Sequence, residues 1–253
     1  MHGDIAFGSA NLLGFLLCLA RVSGISVLIP IPGFRNGPDS ARILLAFTIS
    51  LILAPVWPVP AGPSPSTMQL AGWVLTQAMA GLGIGLAVAL LLEGFQLAGQ
   101  VLGLQAGYSY ASTVDPSSQA DSGILQVWMQ LAIGFLFFAA GLDHAVIRAL
   151  ASGLSNPVPW TAATATTAVA KLGGAMFSAG VRLAFPVVVL LLLLDIALAL
   201  TGRMQAQLQL LSLAFPAKMI AAVLLLSMLT ATFPTVFAKA AEFTFRTLPA
   251  LGQ

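Results

Sequence analysis

QLAGWVLTQAMAGLGIGLAVALLLEGFQLAGQVLGLQAGY, from Gln69 to Tyr108, contains one charged residue, Glu93, and no proline. Nothing in it stops a helix before the end, so the spacing predicts a single unbroken element. About 40 residues at 1.5 Å each make a helix of roughly 60 Å, about twice the hydrocarbon thickness of a bilayer. Part of such a helix must stand outside the bilayer core or cross it at a steep tilt. The run GLGIGL inside it has the glycine spacing of a dinucleotide fingerprint but follows no strand, so the phosphate-cradling geometry of that motif is not available.

The rest of the chain extends the same reading. Of 253 residues, 58% are hydrophobic and 7% charged, against roughly a quarter charged in soluble domains. A mean hydropathy of +0.98 leaves too few polar side chains to cover a water-facing surface. The fold expected is all-α, a polytopic helical membrane protein built of helical hairpins. Six apolar segments approach the roughly 17 to 25 residues a span needs: Asn11 to Ile31, Ala41 to Trp57, Gln69 to Leu92, Ile124 to Leu142, Val181 to Thr201 and Leu210 to Phe233. The first of them has no cationic stretch before it and no small-residue cleavage site after it, and reads as a retained helix.

Between the apolar runs lie breakers. Pro30, Pro32, Gly33, Asn36, Gly37 and Pro38 turn the first helix back into the second, because proline cannot continue a helix and glycine and asparagine supply tight turns. Pro55, Pro58, Pro60, Gly62, Pro63 and Pro65 make the next connection extended. Tyr108 to Gly123, YSYASTVDPSSQADSG, is a polar irregular loop between two apolar helices. Ser152 to Thr167 is a further polar region, Val169 to Gly180 has the pattern of an amphipathic helix, and the tail from Ala238 to Gln253 is aqueous or interfacial in character. Lys and Arg divide almost evenly between the two topologies, so positive charge does not set the orientation.

Few residues carry chemistry. Gly99, Gly103 and Gly107, like Gly81 and Gly85, recur at four-residue spacing and line a helix face on which another backbone can approach closely. Packing within the chain and a subunit interface both fit that face. Gln96, Gln100 and Gln105 flank it, with Gln119, Gln126 and Gln130 beyond. Neutral amides serve either as interhelical hydrogen-bonding groups or as a hydrated, uncharged lining. Asp195 and Lys218 sit in apolar runs, where an unpaired charge costs several kcal/mol, and a turn between Leu200 and Leu210 would bring them to similar heights on antiparallel helices. They form a candidate ion pair. A proton relay would use a chain of ionisable groups, and only one acid is present there.

Other functions lack their residues. Cys18 is the only cysteine, which excludes an internal disulfide and a CxxC motif. The ten Lys and Arg are scattered from Arg21 to Arg246 without a basic stripe, which argues against nucleic acid as a ligand. Of the two histidines, His2 is terminal and His144 adjoins Asp143. Neighbours on a helix point about 100° apart, so spacing does not make that pair a dyad. Catalytic, cofactor-binding and metal-binding residues are all expected to be absent, and no cofactor is implied.

Three blocks carry a family resemblance. LARVSGISVLIPIPGFRNGPDSARILLAFTISLILAP (Leu19 to Pro55), QLAGQVLGLQAGYSYASTVDPSSQADSGILQ (Gln96 to Gln126) and DIALALTGRMQAQLQLLSLAFPAKMI (Asp195 to Ile220) resemble, in order, the opening, the glycine helix with its VDP loop, and the third signature of the FliR family. Ala206, Gln207, Leu208 and Gln209 stand where the family usually has Pro-Gln-Met-Asn, and Ala214 where a glycine is common. The third block also looks like the FliQ hairpin, through Phe215, Pro216 and Lys218. The resemblance therefore implies a FliP-like region over residues 1–180 and a FliQ-like hairpin with a tail over residues 181–253.

It further implies a subunit of the flagellar type III export gate in the bacterial inner membrane, at the flagellar basal body. The partners implied are FliP-like and FliQ-like subunits, an FlhB-like protein, exported unfolded substrates and membrane lipid. In that family the segment matching Tyr108 to Gly123 is a pore plug, which assigns gating to Tyr108, Ser109, Tyr110, Val114, Asp115, Pro116 and Gln119. The injectisome counterpart, the SctT/SpaR group, shares the implied fold. A small-molecule secondary transporter is a separate alternative, and it would call for an internal repeat that the sequence does not show.

Overall fold

The computed structural model describes residues 9–28, 38–58, 65–108, 124–155, 162–204 and 210–247. These form helices α1 (Ser9–Leu28), α2 (Asp39–Ile52), α3 (Thr67–Ala106), α4 (Ile124–Ala139), α5 (Leu142–Ser155), α6 (Ala162–Met204), α7 (Leu210–Thr230) and α8 (Phe233–Thr247), with a 3-10 turn at Ala54–Val56. No strand occurs among the described residues. An all-helical chain with long apolar helices is a polytopic membrane protein, since helices satisfy every backbone polar group without water.

The long helix α3 has 40 residues, and both ends are chemically marked. At its start the Ser66 backbone N–H donates to Gln69 Oε1 at 3.0 Å, and the Gln69 N–H donates to Ser66 Oγ at 3.3 Å. That reciprocal pair is a capping box. At its end Gly107 takes φ +84°, the left-handed region open to glycine. The Gly107 N–H donates to Leu104 O at 3.2 Å and the Tyr108 N–H to Gly103 O at 3.0 Å. This is a Schellman cap, and it launches the chain out of the helix at Tyr108.

Six separate spans were expected; among the described residues three helices are long and apolar enough to cross a bilayer, or up to five if each of two bent helix pairs counts as one. Helix α2 has 14 residues and is only about 21 Å long. The stretch Ile124 to Leu142 is broken where Gly141 adopts φ +67°, separating α4 from α5. Conversely, the expected amphipathic segment at Val169 to Gly180 and the following apolar run fuse into α6, 43 residues long with Pro186 inside it. Nothing between them disfavours helix, and the lost hydrogen bond at a proline is tolerated in apolar helices where neighbours re-satisfy the carbonyl.

The chain divides into two compact units. The first draws on Met1–Leu90, Gly141–Leu172 and Glu242–Gln253. Its core joins Cys18, Val22 and Ile25 of α1 to Ala46 of α2, Ile84 and Ala87 of α3, Leu150 and Leu154 of α5, and Leu172 of α6. α1 and α3 run in the same direction, for Gly81 opposes Arg21 and Gly85 opposes Ile25. Side chains cannot fit there: a Cβ at Gly81 would collide with the Arg21 carbonyl, and one at Gly24 with the Ala78 carbonyl. Phe15 makes edge contacts with Phe47 and Trp57 at 5.3 and 5.4 Å, and the Trp57 Nε1–H donates to Ser50 O at 2.8 Å, tying down the end of α2.

The second unit draws on Leu91–Ala140 and Gly173–Ala241. Here Gly94 and Gly180 meet backbone to backbone, with Met176 also against Gly94. Gly99 receives Met129 of α4, whose Cβ would lie 2.8 Å from an added methyl. Phe95 and Phe237 pack edge to face at 5.2 Å, and Trp128 lies 6.1 Å from Phe233. Since lipid is as apolar as leucine, such close packing rather than exclusion from water is what holds these helices together.

Candidate functional site: a polar cluster at the end of α3

Where α3 ends, four polar groups from three helices converge within the second unit. The Lys218 ammonium of α7 donates to Asp195 Oδ2 of α6 at 2.8 Å. Gln105, two residues before the glycine cap, donates through Nε2 to the same oxygen at 3.4 Å. Tyr108, the first residue after the cap, donates its hydroxyl to Met219 O of α7 at 3.1 Å. The Lys218 side chain is 17% exposed and that of Asp195 41%, so the pair is half-buried.

The arrangement follows from helix geometry. Asp195 lies on α6 and Lys218 on α7, consecutive helices in the chain. Gln105 and Tyr108 lie three positions apart and share one side of the α3 terminus. A lysine ammonium has three donors and no acceptor, and a carboxylate can accept several bonds, so one oxygen serving Lys218 and Gln105 leaves no charge unanswered. Chemically the cluster can hold and orient; it presents no activated nucleophile. It fixes the root of the segment that begins at Tyr108 to the α6 and α7 helices.

The remaining residues singled out from sequence distribute as follows. Ser109, Tyr110, Val114, Asp115, Pro116 and Gln119 lie outside the described residues, as do the departures at Ala206 to Gln209. Gly99 packs within the chain against Met129, Gly103 is buried and supplies the carbonyl of the cap, and Gly107 is the cap itself. Gln96 is buried, whereas Gln100 is exposed. Asp143 and His144, which spacing was expected to part, touch at 3.1 Å with the His144 side chain 83% exposed. They open the first turn of α5, where no preceding turn crowds the side chains and both can lean together.

Sequence reasoning passed over Arg21. It is 5% exposed in the core of the first unit, and its Nε and Nη1 have no hydrogen-bond partner. Gly153 of α5 makes room for it: a Cβ there would lie 2.5 Å from Nη1. The signal was available, since Arg21 is the one charge inside the first apolar run and an ionisable group in such a run is by default of interest. Gln77 is likewise buried, with Oε1 unpartnered.

Long apolar helices, one of which ends in a cluster of polar groups that hold and orient, define a polytopic helical membrane protein. Residues 12–243 match the family described as bacterial export proteins, family 1. The chain is 31% identical over 220 residues to the flagellar biosynthetic protein FliR of Caulobacter vibrioides, covering 84% of this chain and 86% of that one. To the protein of the same name from Escherichia coli K12 it is 30% identical over 203 residues, 78% and 77% of the two chains. The Bacillus subtilis protein of that name is 27% identical over 217 residues, 81% of each. The chain belongs to the FliR family of bacterial export proteins.

Proposed function

We propose that the chain is a non-enzymatic subunit of the flagellar type III export gate, seated in the inner membrane at the flagellar basal body. It assembles with FliP-type and FliQ-type subunits beside an FlhB-type protein, and unfolded flagellar substrates pass through the pore they form. The observation that carries this reading is the family match over residues 12–243, together with relatives that bear a flagellar name. Those names favour the flagellar over the injectisome apparatus.

The surface supports an assembled state. Met228 is 76% exposed, Phe135 74%, Ile52 71% and Leu131 70%, side chains suited to lipid or to neighbouring helices and not to water. In this reading residues 108–123 are the plug. Support comes from its root, where the Schellman cap at Gly107 and the Tyr108 bond to Met219 fix the point and direction from which it departs.

Purification of the chain from its own membranes tests the assembly. FliP-like and FliQ-like proteins are expected to copurify with it in a discrete complex. A chain that emerges alone, binding a small solute, overturns the reading.

A further inference from the structure

A groove of about 650 Å³ runs between α1, α2 and α3 within the first unit. Its two ends differ in chemistry. Leu16 and Phe47, with Val74 of α3, wall one end; Ser26, Asp39 and Arg42 stand among Val27 and Ile43 at the other, where α1 finishes and α2 begins. Ala20 and Ala78 lie along the groove, and these small side chains leave the space between the helices open. We propose that this groove is a binding site for one zwitterionic aminophospholipid, with an acyl chain along the apolar walls and the phosphoethanolamine headgroup at Asp39 and Arg42.

Three considerations select that occupant. The first is length: Leu16 to Ser26 spans ten residues of helix, about 15 Å, which is half the hydrocarbon thickness of about 30 Å and hence the reach of one acyl chain from headgroup to midplane. Volume is the second. A helix of roughly 10 Å diameter occupies on the order of 1,200 Å³ over that length, about twice what the groove holds, whereas a volume of this size is ordinary for a small-molecule site.

Charge complementarity is the third. Asp39 and Arg42 are three positions apart on α2, so an acid and a base stand side by side on one helix face. A phosphate satisfies the base and an ammonium the acid. Arg42 is already engaged in the fold, yet a guanidinium carries five donors and retains some for a phosphate. An anionic headgroup without an amine would leave the acid facing like charge. The oxygens of Ser23 and Ser26 donate to their own helix, to Ala20 O at 2.9 Å and Ser23 O at 2.8 Å, so selectivity rests on the charged pair.

Native mass spectrometry of the full chain, stripped of lipid and titrated with phosphatidylethanolamine, phosphatidylglycerol or phosphatidylcholine, tests the proposal. One tightly held equivalent of phosphatidylethanolamine is expected, bound at least tenfold more strongly than the other two. Asp39→Asn is expected to erase the preference over phosphatidylglycerol, and Ser23→Phe, an exposed position beside the groove, to abolish the tight equivalent while leaving the circular dichroism spectrum unchanged. Graded uptake of many lipids with no preference overturns the proposal, as does tight binding that survives Ser23→Phe. A photocrosslinking residue placed at Ser23 in intact membranes gives an independent reading: a lipid adduct is expected, and a protein adduct would assign the groove to a partner helix instead.

Discussion

Lys218 and Asp195 meet at 2.8 Å across α7 and α6, 23 positions apart in the chain, and Gln105 from the end of α3 joins the same carboxylate oxygen. One acid thereby ties three helices together at the level where the 108–123 segment leaves α3. Asp195→Asn removes the negative charge and one acceptor oxygen from the group that two donors share, whereas changing Lys218 to arginine keeps the charge and the reach. Asp195→Asn is therefore expected to cost about 1–2 kcal/mol of stability, a half-exposed pair being worth less than a fully buried one, and Lys218→Arg clearly less. Thermal unfolding in detergent and the yield of assembled complex measure both. Equal tolerance of the two changes would contradict the pairing.

Gly107 is held at φ +84° by the cap it forms. Gly107→Ala is expected to destabilise the end of α3 by about 1–2 kcal/mol, the cost of placing a side chain in the left-handed region, and Gly107→Asn by less. Amide hydrogen exchange at Leu104 to Tyr108 reads the effect directly: faster exchange confined to that turn is expected, and unchanged protection would count against the cap.

Tyr108→Phe keeps the ring and removes only the hydroxyl bond to Met219 O, seen at 3.1 Å. The loss is about 0.5–1.5 kcal/mol, too small to unfold the chain but enough to loosen the root of the proposed plug. Ion conductance across membranes containing the assembled gate is expected to rise modestly in this variant and strongly when part of 108–123 is deleted. Unchanged permeability in the deletion would remove the plug assignment.

Arg21 carries buried donors without partners in a core that could be filled by hydrocarbon. Arg21→Met replaces the guanidinium with an apolar chain of comparable length and is expected to leave the melting temperature unchanged or to raise it, as replacement of buried charges often does. Gly153→Leu, by contrast, drives a side chain into the space held by Nη1 and is expected to destabilise by about 1–3 kcal/mol. A steep loss of stability in Arg21→Met would show that the guanidinium satisfies an acceptor in the assembled protein.

Much of this structure is legible in the sequence because membrane helices obey few rules. The stretch ending at Tyr108 reads as one long helix since no residue in it opposes helix, and α3 has 40 residues; Asp195 and Lys218, expected at similar heights, meet at 2.8 Å. What sequence reading missed are features set by backbone conformation or by packing on distant segments. Gly141 looks like any glycine in an apolar run until its φ of +67° breaks the helix. Gly107 fits the small-residue spacing of Gly99 and Gly103 so well that periodicity hides its role as a cap. The Tyr108 bond to Met219 joins residues 111 positions apart, and no local pattern announces it. Ser66 and Gln69 did carry a readable capping signature, obscured by the prolines just before it.

The central claim is that this chain is a working part of the flagellar export gate. Its most direct test is the export of flagellar substrates into the medium by cells from which this chain alone has been deleted, compared with cells in which it is restored. The account predicts that extracellular hook and filament proteins and swimming motility are lost together on deletion and return together on restoration. Normal export of those proteins in the absence of the chain would contradict it.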